Sequence, residues 1–200
     1  MPHAGRLFAM RSPSVGIGFL SPILILGAIF LCGCNTGRPP PATVASVDLP
    51  RYAGTWYEIA RFDHWFERNL TAITAQYVLR TDGDIDVTNR GHLGQPSGAE
   101  KVATARAWVV APGKLKVRFF WPFTGDYWII GLDPHYRWAV IGAPHRDYLW
   151  LLHREAHPPA ADVDHMREIA LAAGYDLTPL LLVEHAPSAV QPLPHQPLPK

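Results

Sequence analysis

In residues 114–121, Leu115, Val117 and Phe119 alternate with Lys114, Lys116 and Arg118. A period of two puts the apolar and the charged side chains on opposite faces, which a strand can do and a helix cannot. Related short apolar runs recur at 55–62, 71–80, 85–89, 101–110, 126–132, 137–141 and 148–153, so the reading predicts eight strands. Turn residues separate them: Asp82-Gly83 marks a hairpin, and Pro112-Gly113, Asp133-Pro134 and Pro144-His145 mark further breaks. Over 160–174 the period changes. Val163, Met166, Ile169, Ala170 and Ala173 then share one helical face, Asp162 and Asp164 sit near its start, and Gly174 stops it. Residues 180–183 suit a short ninth strand.

Eight consecutive antiparallel strands leave two bare edges unless the sheet closes on itself. The expected fold is therefore all-β: an eight-stranded antiparallel up-and-down barrel with one C-terminal α-helix packed outside. A membrane-spanning barrel needs an apolar outer band and a polar lumen. The segment 114–118 argues for the reverse, with lysine and arginine facing water and the aliphatic face turned in. Eight strands enclose a space that side chains can fill or that holds one small ligand.

The ends carry different information. Arg6 and Arg11 precede a run over 15–31 that is apolar apart from Ser21, which reads as a secretory signal. Leu31-Cys32-Gly33-Cys34 resembles the bacterial lipobox, which implies cleavage after Gly33 and acylation of Cys34. Asn35 is not the Asp that resembles an inner-membrane retention signal, so the outer membrane is favoured. Cys34 would then be the one cysteine of the mature chain, without a disulfide partner. The expected organisation is a signal peptide at 1–33, a lipidated terminus and Pro-rich extended spacer at 34–46, a folded domain at 47–185 and a Pro-rich disordered tail at 186–200. The formal net charge of +1 carries no footprint for nucleic acid.

Three spaced motifs point to one family. Residues 54–62, Gly-Thr-Trp-Tyr-Glu-Ile-Ala-Arg-Phe, resemble the first lipocalin signature built on Gly54 and Trp56. Their continuation, Asp63-His64-Trp65-Phe66-Glu67-Arg68, is similar to the bacterial outer-membrane lipoprotein lipocalins of the Blc type. Asp133 to Tyr136 resembles a shortened second signature, with Leu132 in place of the usual Thr. Residues 147–154, ending in Arg154, resemble the third. The resemblance implies that Trp56 closes the barrel floor with Arg154 over its indole. It further implies a carrier of fatty acid or lysophospholipid in the cell envelope, anchored to the outer membrane through Cys34 with its domain facing the periplasm. A homodimer is left open by the resemblance.

Counting inward in steps of two from Trp56 gives Glu58, Ala60 and Phe62 as interior residues. The other strands give Ala75, Tyr77 and Leu79; Leu115, Val117 and Phe119; Tyr127, Ile129 and Gly131; Ala139 and Ile141; and Tyr148, Trp150 and Leu152. This set is mostly apolar with a few orienting polar groups, as ligand cavities are. Gly131, Ala60, Ala75 and Ala139 favour a hollow over a filled interior. Trp65 and Phe66 fall in the first loop at the mouth, where ligand, membrane, a second subunit and the loop's own rim compete for them. Arg68 and Arg146 there suit an anionic group or solvent. Two readings compete with a binding module: an enzyme built around Glu58 in the same barrel, and a structural lipoprotein with a filled barrel. Neither a catalytic residue nor a cofactor is expected. The segment 82–86 begins like a calcium loop but has Val87 and Leu93 where Gly and Glu belong. The spacing of His153, Glu155 and His157 does not fit a zinc helix, so no metal is expected.

Overall fold

The computed structural model describes residues 38–187. The signal segment, Cys34 and the tail beyond residue 187 lie outside the described residues. The eight strands are β1 (Gly54–Phe62), β2 (Leu70–Leu79), β3 (Ile85–Leu93), β4 (Glu100–Ala111), β5 (Lys114–Phe120), β6 (Phe123–Leu132), β7 (Trp138–Gly142) and β8 (Leu149–His153). Each pairs antiparallel with the next, and β8 returns to β1. The lower half of β1, from Gly54 to Tyr57, pairs with β2 and closes the barrel. Its upper half, from Ala60 to Phe62, instead carries a ninth strand, β9 (Leu180–Leu182). Every connection over β1–β2, β3–β4, β5–β6 and β7–β8 therefore lies at one end, the mouth.

A short helix, α1 (Leu49–Tyr52), lies across the opposite end. Asp48 caps it by accepting from the Arg51 N–H at 3.3 Å, and a proline begins its first turn. Four residues are too few to show helical periodicity, and the sequence reading contains no helix there. Of the Pro-rich segment expected as a spacer, the described part, from Arg38 onward, lies against the barrel. The Val44 N–H donates to the Ile129 carbonyl at 2.9 Å, and the Thr43 hydroxyl to that of Pro112 at 3.0 Å.

The helix α2 (Ala160–Ala172) packs outside the barrel, where Met166 and Ala170 are wholly buried. There are consequently two cores. One lies inside the barrel around Trp56, Leu115, Ile129 and Ile141. The other lies between barrel and helix, around Trp138, Val140, Leu151 and Met166. Gly131 belongs to the second: a Cβ there would stand 2.9 Å from Ile169 Cγ2. The missing side chain lets α2 seat closely on β6.

Candidate functional site

The closed end is built around Trp56, whose side chain is fully buried. The Arg154 guanidinium lies 3.7 Å from the indole centroid. Arg154 also donates to the carbonyls of Arg51, Tyr52, Ala53 and Thr55 at 2.7–3.0 Å. One cation thus ties the strap before β1 to the end of β8. Gly54, at φ +96°, turns the chain from α1 into β1 directly beneath that guanidinium. Asp133 is buried and accepts from the His135 and Arg137 N–H groups and from the Arg137 side chain. Burial raises its carboxyl pKa, but these donors overcome that and hold it below the ordinary value. Tyr136 accepts from the Asp48 N–H at 2.8 Å. All five signature residues therefore serve the floor.

Above the floor, the interior face carries Ala75, Tyr77, Leu115, Val117, Tyr127, Ile129, Ala139, Ile141, Trp150 and Leu152, in agreement with the alternation in the sequence. The reading missed Ile85, Val87, Ala105 and Ala107, although the same step of two along β3 and β4 marks them. Burial is uneven across this lining. Ile129, Ile141, Ala139 and Leu115 are sealed, whereas Val117, Tyr127 and Trp150 remain partly accessible to water. Three hydroxyls meet over the floor: Tyr127 lies 2.5 Å from Tyr52 and 3.0 Å from Tyr77. Burial pushes the pKa of all three upward, so they stay neutral and offer hydrogen bonds without charge.

Several expected lining residues lie elsewhere, and bulges explain most of them. In β1, Glu58 pairs with Leu152 but Ala60 pairs with Leu151, so Ile59 is an extra residue. Beyond it the faces exchange. Ala60 and Phe62 consequently point outward into the core under α2, and Arg61 points in. A second bulge, between Ile129 and Gly131, turns Gly131 toward the helix in the same way. Phe119 is half-exposed, on the irregular stretch of β5 where pairing with β6 shifts, and does not join the buried lining. Leu79 lies exposed at the closed end. Tyr148 precedes β8 at the mouth and stacks on Trp150 and His64.

The inward turn of Arg61 creates a buried ionic cluster. Its Nε lies 3.1 Å from Glu58 Oε1, with both side chains almost fully enclosed. The pair is in Coulombic contact, but its orientation is off the hydrogen-bonding direction. Arg61 also donates to the Glu67 carbonyl at 2.8 Å, and the Trp150 indole N–H donates to the Glu67 carboxylate at 3.1 Å. Burial and the charge of Glu67 push the Glu58 pKa well up, partly offset by Arg61. Burial raises Glu67 too, against the opposing pull of Trp150 and Arg61. The loop between β1 and β2 is thereby fastened over one side of the mouth. Two open depressions flank the strands. One, about 440 Å³, lies along β3, β4 and β5 and is lined by Val87, Ala105 and Phe119 as well as Asp86, Thr104 and Arg106; the other, about 400 Å³, flanks the β4–β5 hairpin at the closed end.

The description "Lipocalin-like domain" belongs to the family model that matches residues 47–185. The chain belongs to the lipocalin family. This lipocalin is 40% identical over 164 residues to outer membrane lipoprotein Blc of Citrobacter freundii, spanning 80% of this chain and 93% of that protein. It is also 40% identical over 162 residues to outer membrane lipoprotein Blc of Escherichia coli K12, covering 78% and 91%. Temperature-induced lipocalin-1 of Arabidopsis thaliana is 37% identical over 157 residues, covering 72% and 83%. Insecticyanin from the tobacco hornworm Manduca sexta shares the fold, with a TM-score of 0.60 at 16% identity over 77% of this chain and 88% of that one. The interior of this lipocalin is accordingly read as a barrel for a small hydrophobic ligand. Among the described residues no helix is long and apolar enough to cross a membrane.

Proposed function

We propose that this lipocalin holds a fatty acid or a lysophospholipid in its barrel, storing or moving lipid in the cell envelope. The carrying observation is the continuous apolar interior face, sealed at Trp56 and still partly accessible to water at Val117 and Trp150. An acyl chain would lie along Val117 and past Trp150, above the sealed Leu115, Ile129 and Ile141. Its polar end would lie near Trp150, Arg61 and Glu67, where both charge signs and an indole N–H are available. We read the barrel as a carrier and not an enzyme. Glu58, the interior acid that an enzyme would need, is enclosed against Arg61, and Glu67 is engaged by Trp150.

The proposal extends to the anchor. Cys34 carries the acyl groups, the outer membrane receives them and the domain faces the periplasm. The lipobox-like sequence and the names of the bacterial relatives support this. Native mass spectrometry of protein purified from the cell envelope tests both parts at once. The expected protein mass begins at an acylated Cys34, and gentle activation releases one bound fatty acid or lysophospholipid per chain. An unacylated amino terminus contradicts the anchor, and a chain without bound lipid after lipid-loaded purification contradicts the carrier.

A further inference from the structure

Residues 38 and 39 begin at the mouth, not at the floor. Arg38 Nη1 donates to the Gly174 carbonyl at 2.6 Å, just past the end of α2. The Pro39 carbonyl accepts from Arg146, in the β7–β8 connection, at 2.6 Å. From there the chain descends the barrel wall to Val44 and α1 before β1 starts. Cys34 is four residues before Arg38, so an acyl anchor on it lies at most about 15 Å from the mouth rim by contour length. A tether that short cannot carry the membrane surface round to the closed end of the barrel.

The same rim exposes aromatic side chains. Trp65 in the β1–β2 connection is 75% exposed, and Phe120, Trp121 and Phe123 at the β5–β6 connection are 59%, 82% and 68% exposed. In strand order the β7–β8 connection, beside which Arg38 lies, falls between those two loops. The β3–β4 connection is opposite and polar, with Gly, Gln, Pro and Ser over 94–98 and an Arg90–Glu100 ion pair at 3.3 Å. Among the described residues the strongly exposed phenylalanines and tryptophans all lie on the mouth half, while the exposed apolar residues of the closed end are aliphatic, such as Leu79, Val109 and Val110. Trp and Phe favour the lipid–water interface, and patches of this kind mark contact surfaces on soluble domains.

We propose that the barrel stands mouth-down on the bilayer that holds its anchor, with Trp65 and the Phe120–Phe123 tip seated at the lipid–water interface. The proposal rests on acylation of Cys34. Lipid then passes between bilayer and barrel without crossing open water, and the polar β3–β4 loop marks the side tilted away.

The test uses the acylated full chain in phosphatidylethanolamine–phosphatidylglycerol vesicles, with a nitroxide at Trp121→Cys or, for comparison, at Val110→Cys. Collision with oxygen, which concentrates in the bilayer, is compared with collision with a water-soluble nickel chelate. The expected result is an oxygen-dominated label at Trp121→Cys and a nickel-dominated label at Val110→Cys. Nickel-dominated labels at both positions, in protein that floats with the vesicles, overturn the docking and leave the anchor standing. A Trp121→Cys label shielded from both reagents and broadened by a second nitroxide assigns the rim to a second copy, which also overturns it. Protein that does not float overturns the anchor and the docking with it. In a parallel readout, Trp121→Ser with Phe123→Ser slows transfer of a fluorescent lysophospholipid out of vesicles by roughly tenfold or more while leaving its affinity in solution unchanged. Equal transfer rates contradict the proposal.

Discussion

Arg154 and Arg61 show how differently one side-chain type behaves at two depths. Arg154 directs its donors to five carbonyls at the edge of the floor and places its cationic face on Trp56, an arrangement worth about 0.5–2 kcal/mol from the ring alone. Arg61 is enclosed between Glu58 and Glu67, where desolvation opposes attraction. The sign of the pH effect follows. The Glu58 pKa is raised on folding, so its contribution to stability is present below the ordinary value of 4.5 and is lost as pH rises through the folded value. Glu67 acts in the same direction. Glu58→Gln removes the titrating group. Thermal melts from pH 4.5 to pH 8 should therefore show the melting temperature of Glu58→Gln rising relative to the parent as pH increases. A difference that shrinks with pH would mean that Glu58 is stabilised as the anion.

At the scale of strands, alternation made most of the architecture legible, because burying one face of a strand fixes its period. The segment 114–118 alone decided which side of the barrel is wet. Bulges were not legible. Nothing in Glu58-Ile59-Ala60-Arg61 marks Ile59 as extra, since Ala, Phe and Ile suit either core and the helix outside offers Phe62 a buried place equal to the interior. Parity consequently failed for Ala60, Phe62 and Gly131 while holding for Ala75, Tyr77, Leu115, Val117, Tyr127, Ile129, Ile141 and Trp150. The buried pair of Glu58 with Arg61 was hidden for the same reason. Deleting Ile59 should restore strict alternation with Ala60 still facing out and Arg61 still facing in, while removing a buried side chain and the carbonyl to which the Val183 N–H beside β9 donates. The expected cost is at least about 3 kcal/mol, or roughly 6–12 °C in Tm by calorimetry. An unchanged Tm would mean that the bulge is not structural.

For the whole molecule, the two ends of the barrel have separate tasks. The signature residues Gly54, Trp56, Asp133, Tyr136 and Arg154 gather at the floor and make a seal, while Arg61, Glu67 and Trp150 hold the β1–β2 loop at the mouth. Three neutral tyrosine hydroxyls, an apolar wall and a half-covered mouth suit a molecule with one long apolar part and one polar end. The claim beneath this account is that the space beside Val117 is occupied by ligand. Equilibrium titration with a fluorescent long-chain fatty acid, comparing the parent with Val117→Trp, tests it most directly. The indole would take the place assigned to the acyl chain, so the account predicts saturation of the parent at one ligand per chain and an affinity for Val117→Trp weaker by roughly a hundredfold, or about 2.7 kcal/mol, with circular dichroism and Tm close to the parent's. Equal affinity in a folded Val117→Trp would contradict it.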